Sequence, residues 1–223
     1  MRRNPFQALL LSCVAALGLA CGGTSSGTDD AGTAVPDPAA FGLVDGACQA
    51  YAVNGFKDVT VATKKDTTTV QGVTTYQVTI KRAGLEQESL WFEVTADALL
   101  LHRRRAIEAG RDTYFSFTPA PTWWKLGLNG EGTVETKGST KASGGRTGTF
   151  EMLLRIVATG IESVTVGATA YDAEKFFLAY EFPSASDATV LDSVSQQFAF
   201  VPNVGLVKIK LDRDEALLVG ACE

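Results

Sequence analysis

The sequence predicts an all-β fold: a single domain of about ten antiparallel strands with little helix. Three observations carry it. Apolar and polar residues alternate with period two over most of the chain beyond residue 75, and the apolar places hold β-branched and aromatic side chains. Turn-forming pairs such as Asn54-Gly55, Ala83-Gly84, Ala109-Gly110, Asn129-Gly130, Gly144-Gly145, Thr159-Gly160 and Pro202-Asn203 fall between those runs. Cys48 and Cys222 stand at the two ends of the patterned region, where a bond between them would tie its termini together.

Residues 1–20 have the form of a signal peptide. Arg2 and Arg3 give a positive start, an apolar run follows to Leu19, and Gly18 and Ala20 are small. The run is shorter than the ~20 apolar residues of a membrane span. Leu17-Gly18-Leu19-Ala20-Cys21 resembles the lipobox of bacterial lipoproteins, in which cleavage leaves a lipid-modified cysteine at the new N-terminus. Gly18 stands where Leu is usual, so Gly18-Leu19-Ala20 also reads as an ordinary small-x-small cleavage site. Cysteine parity favours lipidation. Cys13 is removed with the signal and Cys48 pairs with Cys222, which leaves Cys21 over in an oxidising compartment. The resemblance implies anchoring at the bacterial cell envelope. Gly22 rather than Asp after the cysteine resembles the sorting signal for the outer membrane, on its periplasmic or surface face.

Residues 21–47 are rich in Gly, Ser, Thr, Ala, Pro and Asp, a composition too poor in large apolar residues to offset its own ordering entropy. They are expected to form a flexible acidic linker after a lipidated Cys21. The whole chain has 20 Lys+Arg against 25 Asp+Glu, a net charge of −5, and loss of Arg2 and Arg3 makes the exported part more acidic. That balance argues against nucleic-acid binding.

Residues 48–223 are the expected β-domain. Tyr76, Val78 and Ile80 alternate with polar residues, as do Leu90, Phe92 and Val94. Phe115 and Phe117 follow, then Met152 and Leu154, Phe176 and Leu178, Phe198 and Phe200, and Val207 and Ile209. Residues 95–110 contain good helix formers, but both neighbours alternate, so the segment is read as a turn at Ala96-Asp97 and a returning strand. Asp212-Arg213-Asp214-Glu215 reads as the last hairpin turn.

Two late segments resemble a known group. Glu162–Val166, a small-residue turn at Gly167-Ala168-Thr169, and Ala170–Lys175 are followed by Phe200-Val201-Pro202-Asn203-Val204-Gly205-Leu206-Val207. This order resembles bacterial envelope proteins of the DUF3108-like, TapB-like group. These look related in shape to the LolA/LolB lipoprotein carriers, and the turn departs from their usual Pro-Ala-Gly. The resemblance implies a curved sheet or half-barrel, a clamshell around an apolar hollow. It covers about the last third of the chain and carries over no functional residue.

The residues offer no catalytic or metal motif. His102 is the only histidine, and no Gly-x-Ser-x-Gly elbow, phosphate loop or dinucleotide fingerprint is present. No catalytic residue, metal or cofactor is therefore assigned. Candidate contact residues are Arg103 and Arg105, which share a face if residues 103–105 are extended, with His102 and Arg104 on the other. Trp91, Trp123 and Trp124 join them as amphipathic side chains suited to a rim or surface, with core packing against a helix or loop as the alternative. Trp91 lies opposite Phe92, which predicts that both faces of its strand are covered.

The expected function is a non-enzymatic binding module held at a membrane by its lipid. Lipid or lipoprotein acyl chains are the expected ligand if Phe92, Phe115, Leu154 and Phe176 line a groove. A protein or surface polysaccharide is expected if those residues form a solid core.

Overall fold

The computed structural model describes residues 37–222, apart from 54–55, 67–68, 109–110, 146, 184–190 and 212–213. The signal segment, Cys21 and the tether before residue 37 lie outside the described residues. So do the turns at Asn54-Gly55 and Ala109-Gly110 and, at the last expected turn, Asp212 and Arg213; Asp214 and Glu215 of that expected turn instead pair with Leu211 and Lys210 as strand.

The alternating runs become strands β1 (Cys48–Val53), β2 (Phe56–Lys65), β3 (Tyr76–Arg82), β4 (Leu85–Val94), β5 (Ala98–Glu108), β6 (Arg111–Thr118), β7 (Thr122–Lys125), β8 (Thr133–Gly144), β9 (Gly148–Val166), β10 (Thr169–Pro183), β11 (Leu191–Val201), β12 (Gly205–Leu211) and β13 (Asp214–Ala221). Over the described part, residues 95–108, this segment does form a turn and strand β5, because Val94 pairs with Leu99 and both β4 and β6 flank the strand. All thirteen belong to one antiparallel sheet, in the order β4-β3-β2-β1-β13-β12-β11-β10-β9-β8-β6-β5-β7. Pairing of β4 with β5 closes twelve of them into a barrel.

The curvature expected from the sequence therefore goes further than a half-barrel. Closure removes both sheet edges, which would otherwise expose unpaired backbone groups. The added strands are those with weak patterns. β8 reads TVETKGSTKASG, with only Val134 and Ala142 apolar. It is a strand because β6 and β9 supply a ladder on each side.

Alternation divides the wall cleanly. Met152, Leu154 and Ile156 point into a common core with Phe176, Leu178, Phe198, Phe200, Val207 and Ile209. Their neighbours Glu151, Arg155, Lys141 and Lys210 are exposed. Along these strands, hydrocarbon inside and charge outside is the reverse of a membrane-spanning barrel, whose lipid face is apolar.

β1 and β13, the first and last strands, meet along a ladder from Gln49–Ala221 to Val53–Ala216. The expected Cys48–Cys222 disulfide crosses the end of this seam, with the Cα atoms 5.4 Å apart.

One mouth of the barrel is stopped by two segments. The first is residues 37–47, which the composition assigns to the linker. Asp37 caps a 3₁₀ turn over Pro38–Phe41 by accepting the Ala39 N–H at 3.0 Å. Phe41 and Leu43 are then buried, and Ala40 accepts the Asn203 N–H. Gly42 is required here twice over: its φ is 69°, and a Cβ would sit 2.4 Å from the Gly205 Cα. The domain thus begins before Cys48, because two apolar residues in a polar stretch suffice to dock it. The second segment runs from β7 to Gly132. It leaves β5, where Leu101 N–H bonds the Pro121 carbonyl, and reaches β9, where Ala158 N–H bonds the Gly132 carbonyl.

Candidate functional site

Among the described residues, one hollow lies inside the barrel and another on its wall. The interior hollow lies beneath the stopped mouth. Trp123 and Trp124 are neighbours on β7, yet both are buried: Trp124 pairs with Leu99 and Thr122 with Leu100, so Trp123 is an unpaired bulge residue and both indoles reach the same core. Trp123 packs on Phe92 and Phe198 at 5.4 and 5.6 Å between ring centroids. Trp124 packs on Phe176 and Phe200 at 4.2 and 5.2 Å. These rings leave an apolar void of about 50 Å³. Small-molecule sites run to roughly 300–1,000 Å³, so the lumen as it stands holds no acyl chain. Phe92, Phe115, Leu154 and Phe176, the expected groove lining, are all buried in the continuous core. The Trp124 indole N–H is buried there without a hydrogen-bond partner. Of the two expectations for these tryptophans, the structure shows core packing and not a rim or surface contact.

The outer hollow is built on β4, β5 and β6. Asp66 and residues 69–75, between β2 and β3, lie against the outer faces of these strands. The Trp91 indole donates to Asp66 Oδ2 at 2.9 Å, and Gln71 Nε2 donates to the Phe117 carbonyl at 3.2 Å. This is the second cover that the position of Trp91 predicted.

A bulge opposite Trp91-Phe92 leaves His102 unpaired on β5: Phe92 pairs with Leu101 and Trp91 with Arg103. The alternation expected of residues 102–105 is therefore corrected. His102 shares the outer side with Arg103, between Gln71 Oε1 at 2.9 Å and Glu93 Oε2 at 2.7 Å. Arg104 shares an inward rung with Leu90 and Phe115 and ion-pairs with Glu88.

Arg103 and Arg105 do share the outer face, but in different electrostatic states. Arg105 bridges Glu86 at 2.6 Å and Asp112 at 2.8 Å. The hydrogen bond it donates to Asp112 holds its pKa above the ordinary arginine value, against the desolvation that opposes it. Arg103 makes no ion pair or hydrogen bond with any described residue, and its Nε is buried without a partner. Its guanidinium lies 4.5 Å from the Tyr114 ring centroid and 5.4 Å from that of Trp91. Beside it opens a polar cleft of about 540 Å³, lined by Asp66, Thr69, Val70, Gln71, Trp91, Tyr114 and Ser116.

Of the candidate contact residues, the fold thus brings Trp91 and Arg103 together, sets Arg105 alongside in ion pairs, and withdraws Trp123 and Trp124. Tyr114, Asp66 and Gln71 complete the cleft without having been singled out from the sequence. Tyr114 stood on the outward phase of its strand, so alternation placed it on the correct face. No local signal marked Asp66 or Gln71. Among the described residues, no group of three or more His, Cys, Asp or Glu is placed to hold a metal ion. No family model, curated protein or solved structure matches the chain.

Proposed function

We propose that the chain is an exported, lipid-anchored envelope protein that acts as a non-enzymatic binding module through the cleft on the outer wall of its barrel. The observation that carries this reading is Arg103, an arginine with no counter-ion among the described residues, stacked between Tyr114 and Trp91 at the edge of a polar hollow. A half-buried cation without an anion is costly, and stacking on two rings offsets part of that cost. A ligand supplies the rest. The filled lumen supports the same choice, because it leaves no room for the acyl chain that a carrier would hold.

The export signal and Cys21 support anchoring at the outer membrane. Kinship with the DUF3108-like, TapB-like envelope group rests on the sequence resemblance of residues 162–175 and 200–207. A carrier remains the second reading on one observation: the partnerless Trp124 indole beneath the plug of Phe41 and Leu43, which a ligand acceptor would complete if the plug withdrew.

Native mass spectrometry of the protein purified from membranes separates the two. The binding-module reading expects the mass of the acylated chain alone. A further lipid-sized adduct, released when residues 37–47 are deleted, would overturn it in favour of the carrier.

A further inference from the structure

We propose that the cleft beside Arg103 binds a saccharide bearing a carboxylate, an acidic sugar of an envelope or capsular polysaccharide. This rests on the binding-module reading and names its ligand.

The charge comes first. Three consecutive arginines stand on β5, and the other two are neutralised within the protein, Arg104 by Glu88 and Arg105 by Glu86 and Asp112. Of the three, Arg103 alone has no acceptor for its guanidinium among the described residues. The flanking rings hold that fork in place, so little side-chain entropy is lost when an anion binds. A planar guanidinium fixed in this way matches a carboxylate through two parallel hydrogen bonds.

The form of the anion follows from the wall opposite. Asp66 lines the same cleft, held by the Trp91 indole. A phosphate dianion would bring two charges toward that carboxylate, whereas a monoanion brings one. Ser116 and Thr69 add hydroxyls that donate and accept, suited to sugar hydroxyls on the same ring. The cleft lies on the outer wall, where a polymer passes without having to enter the barrel. Its volume of about 540 Å³ falls within the range of small-ligand sites.

The test uses the full-length protein purified from membranes in detergent, labelled with 15N at tryptophan. The Trp91 indole N–H resonance is assigned by Trp91→Phe. Methyl β-glucuronide should move this resonance with saturation at millimolar concentration. Methyl β-glucoside should bind about tenfold more weakly or less, since a charge-assisted pair carries at least that factor. Inorganic phosphate should leave the resonance in place. Arg103→Met should abolish the glucuronide response, and Arg103→Lys, which keeps the charge but not the fork, should weaken it. An unchanged Trp123 and Trp124 pattern certifies the fold of each variant.

Equal titration by glucoside, stronger titration by phosphate, or an undiminished response in Arg103→Met would overturn the proposal. If only uncharged glycans move Trp91, the ligand class falls while the binding-module reading stands. That reading falls on the lipid adduct described above.

Discussion

Three adjacent arginines of one strand have three fates, and the cause is a single bulge. A strict period-two strand would put His102 and Arg104 on one face. The residue inserted opposite Trp91-Phe92 moves His102 outward and leaves Arg104 inside. No residue type announces this, because a bulge is decided by how two strands fit and not by the composition of either. Alternation was legible for Trp91 and Tyr114, and the site is half visible in the sequence for that reason. Asp66 and Gln71 were not legible, since a covering loop is placed by tertiary contacts alone. Trp124 yields a prediction at this scale. Replacing a fully buried tryptophan ordinarily costs several kcal/mol, but here the indole N–H has no partner. Trp124→Phe removes an unmet donor worth about 1–3 kcal/mol while it enlarges the void by a fraction of a ring. Urea unfolding should find the variant within about 1 kcal/mol of the parent. A larger loss would mean that the donor has an acceptor, such as an enclosed water.

At the scale of the element, the two segments that stop the mouth are where composition misleads. Residues 37–47 look like tether, yet Phe41 is as buried as the strand core. Phe41→Ala should therefore cost about 3 kcal/mol in urea unfolding, the figure for a core phenylalanine. If residues 37–47 were only a leash, the loss would be negligible. The crossing from β7 to β9 gives a second prediction. Glu174 accepts the Asn129 N–H at 3.1 Å, and burial pushes its carboxyl above the usual glutamate range, against the opposing pull of that bond. The folded state therefore holds this proton more tightly than the unfolded chain does. Stability should fall as pH rises from the ordinary glutamate value through the raised one, and then level off. Glu174→Gln keeps an oxygen for Asn129 and has nothing to ionise, so its stability profile should lack that step. The difference should be small, because much of the group remains in contact with solvent. Chemical denaturation at a series of pH values compares the two, and parallel profiles would exclude Glu174 as the source.

At the scale of the molecule, barrel closure and the disulfide act on the same seam. All-β character and the Cys48–Cys222 pair were legible because alternation and cysteine parity are properties of the chain itself. Closure was not, because it depends on β4 finding β5 and β1 finding β13 at compatible curvature, which no local pattern encodes. The Cys48–Cys222 bond spans a sequence separation of 174, and the loop-entropy estimate for so long a ring is roughly 5 kcal/mol, an upper figure. That stabilisation can act in two places: it can restrict the unfolded chain, or it can hold a seam that would otherwise part. The seam has an antiparallel partner on each side, β2 along β1 with one bulge after Tyr51 and β12 along Asp214–Leu217 of β13, and Gln49 also donates to the Val204 carbonyl. The pairing should therefore stand without the bond. Replacing Cys48 and Cys222 together by Ser should lower global stability by about 2–5 kcal/mol, and hydrogen exchange should accelerate evenly through the protected amides of the barrel. Selective loss of protection in residues 49–53 and 216–221, with the rest unchanged, would show the opposite: the seam is weak and the disulfide clamps the native barrel shut.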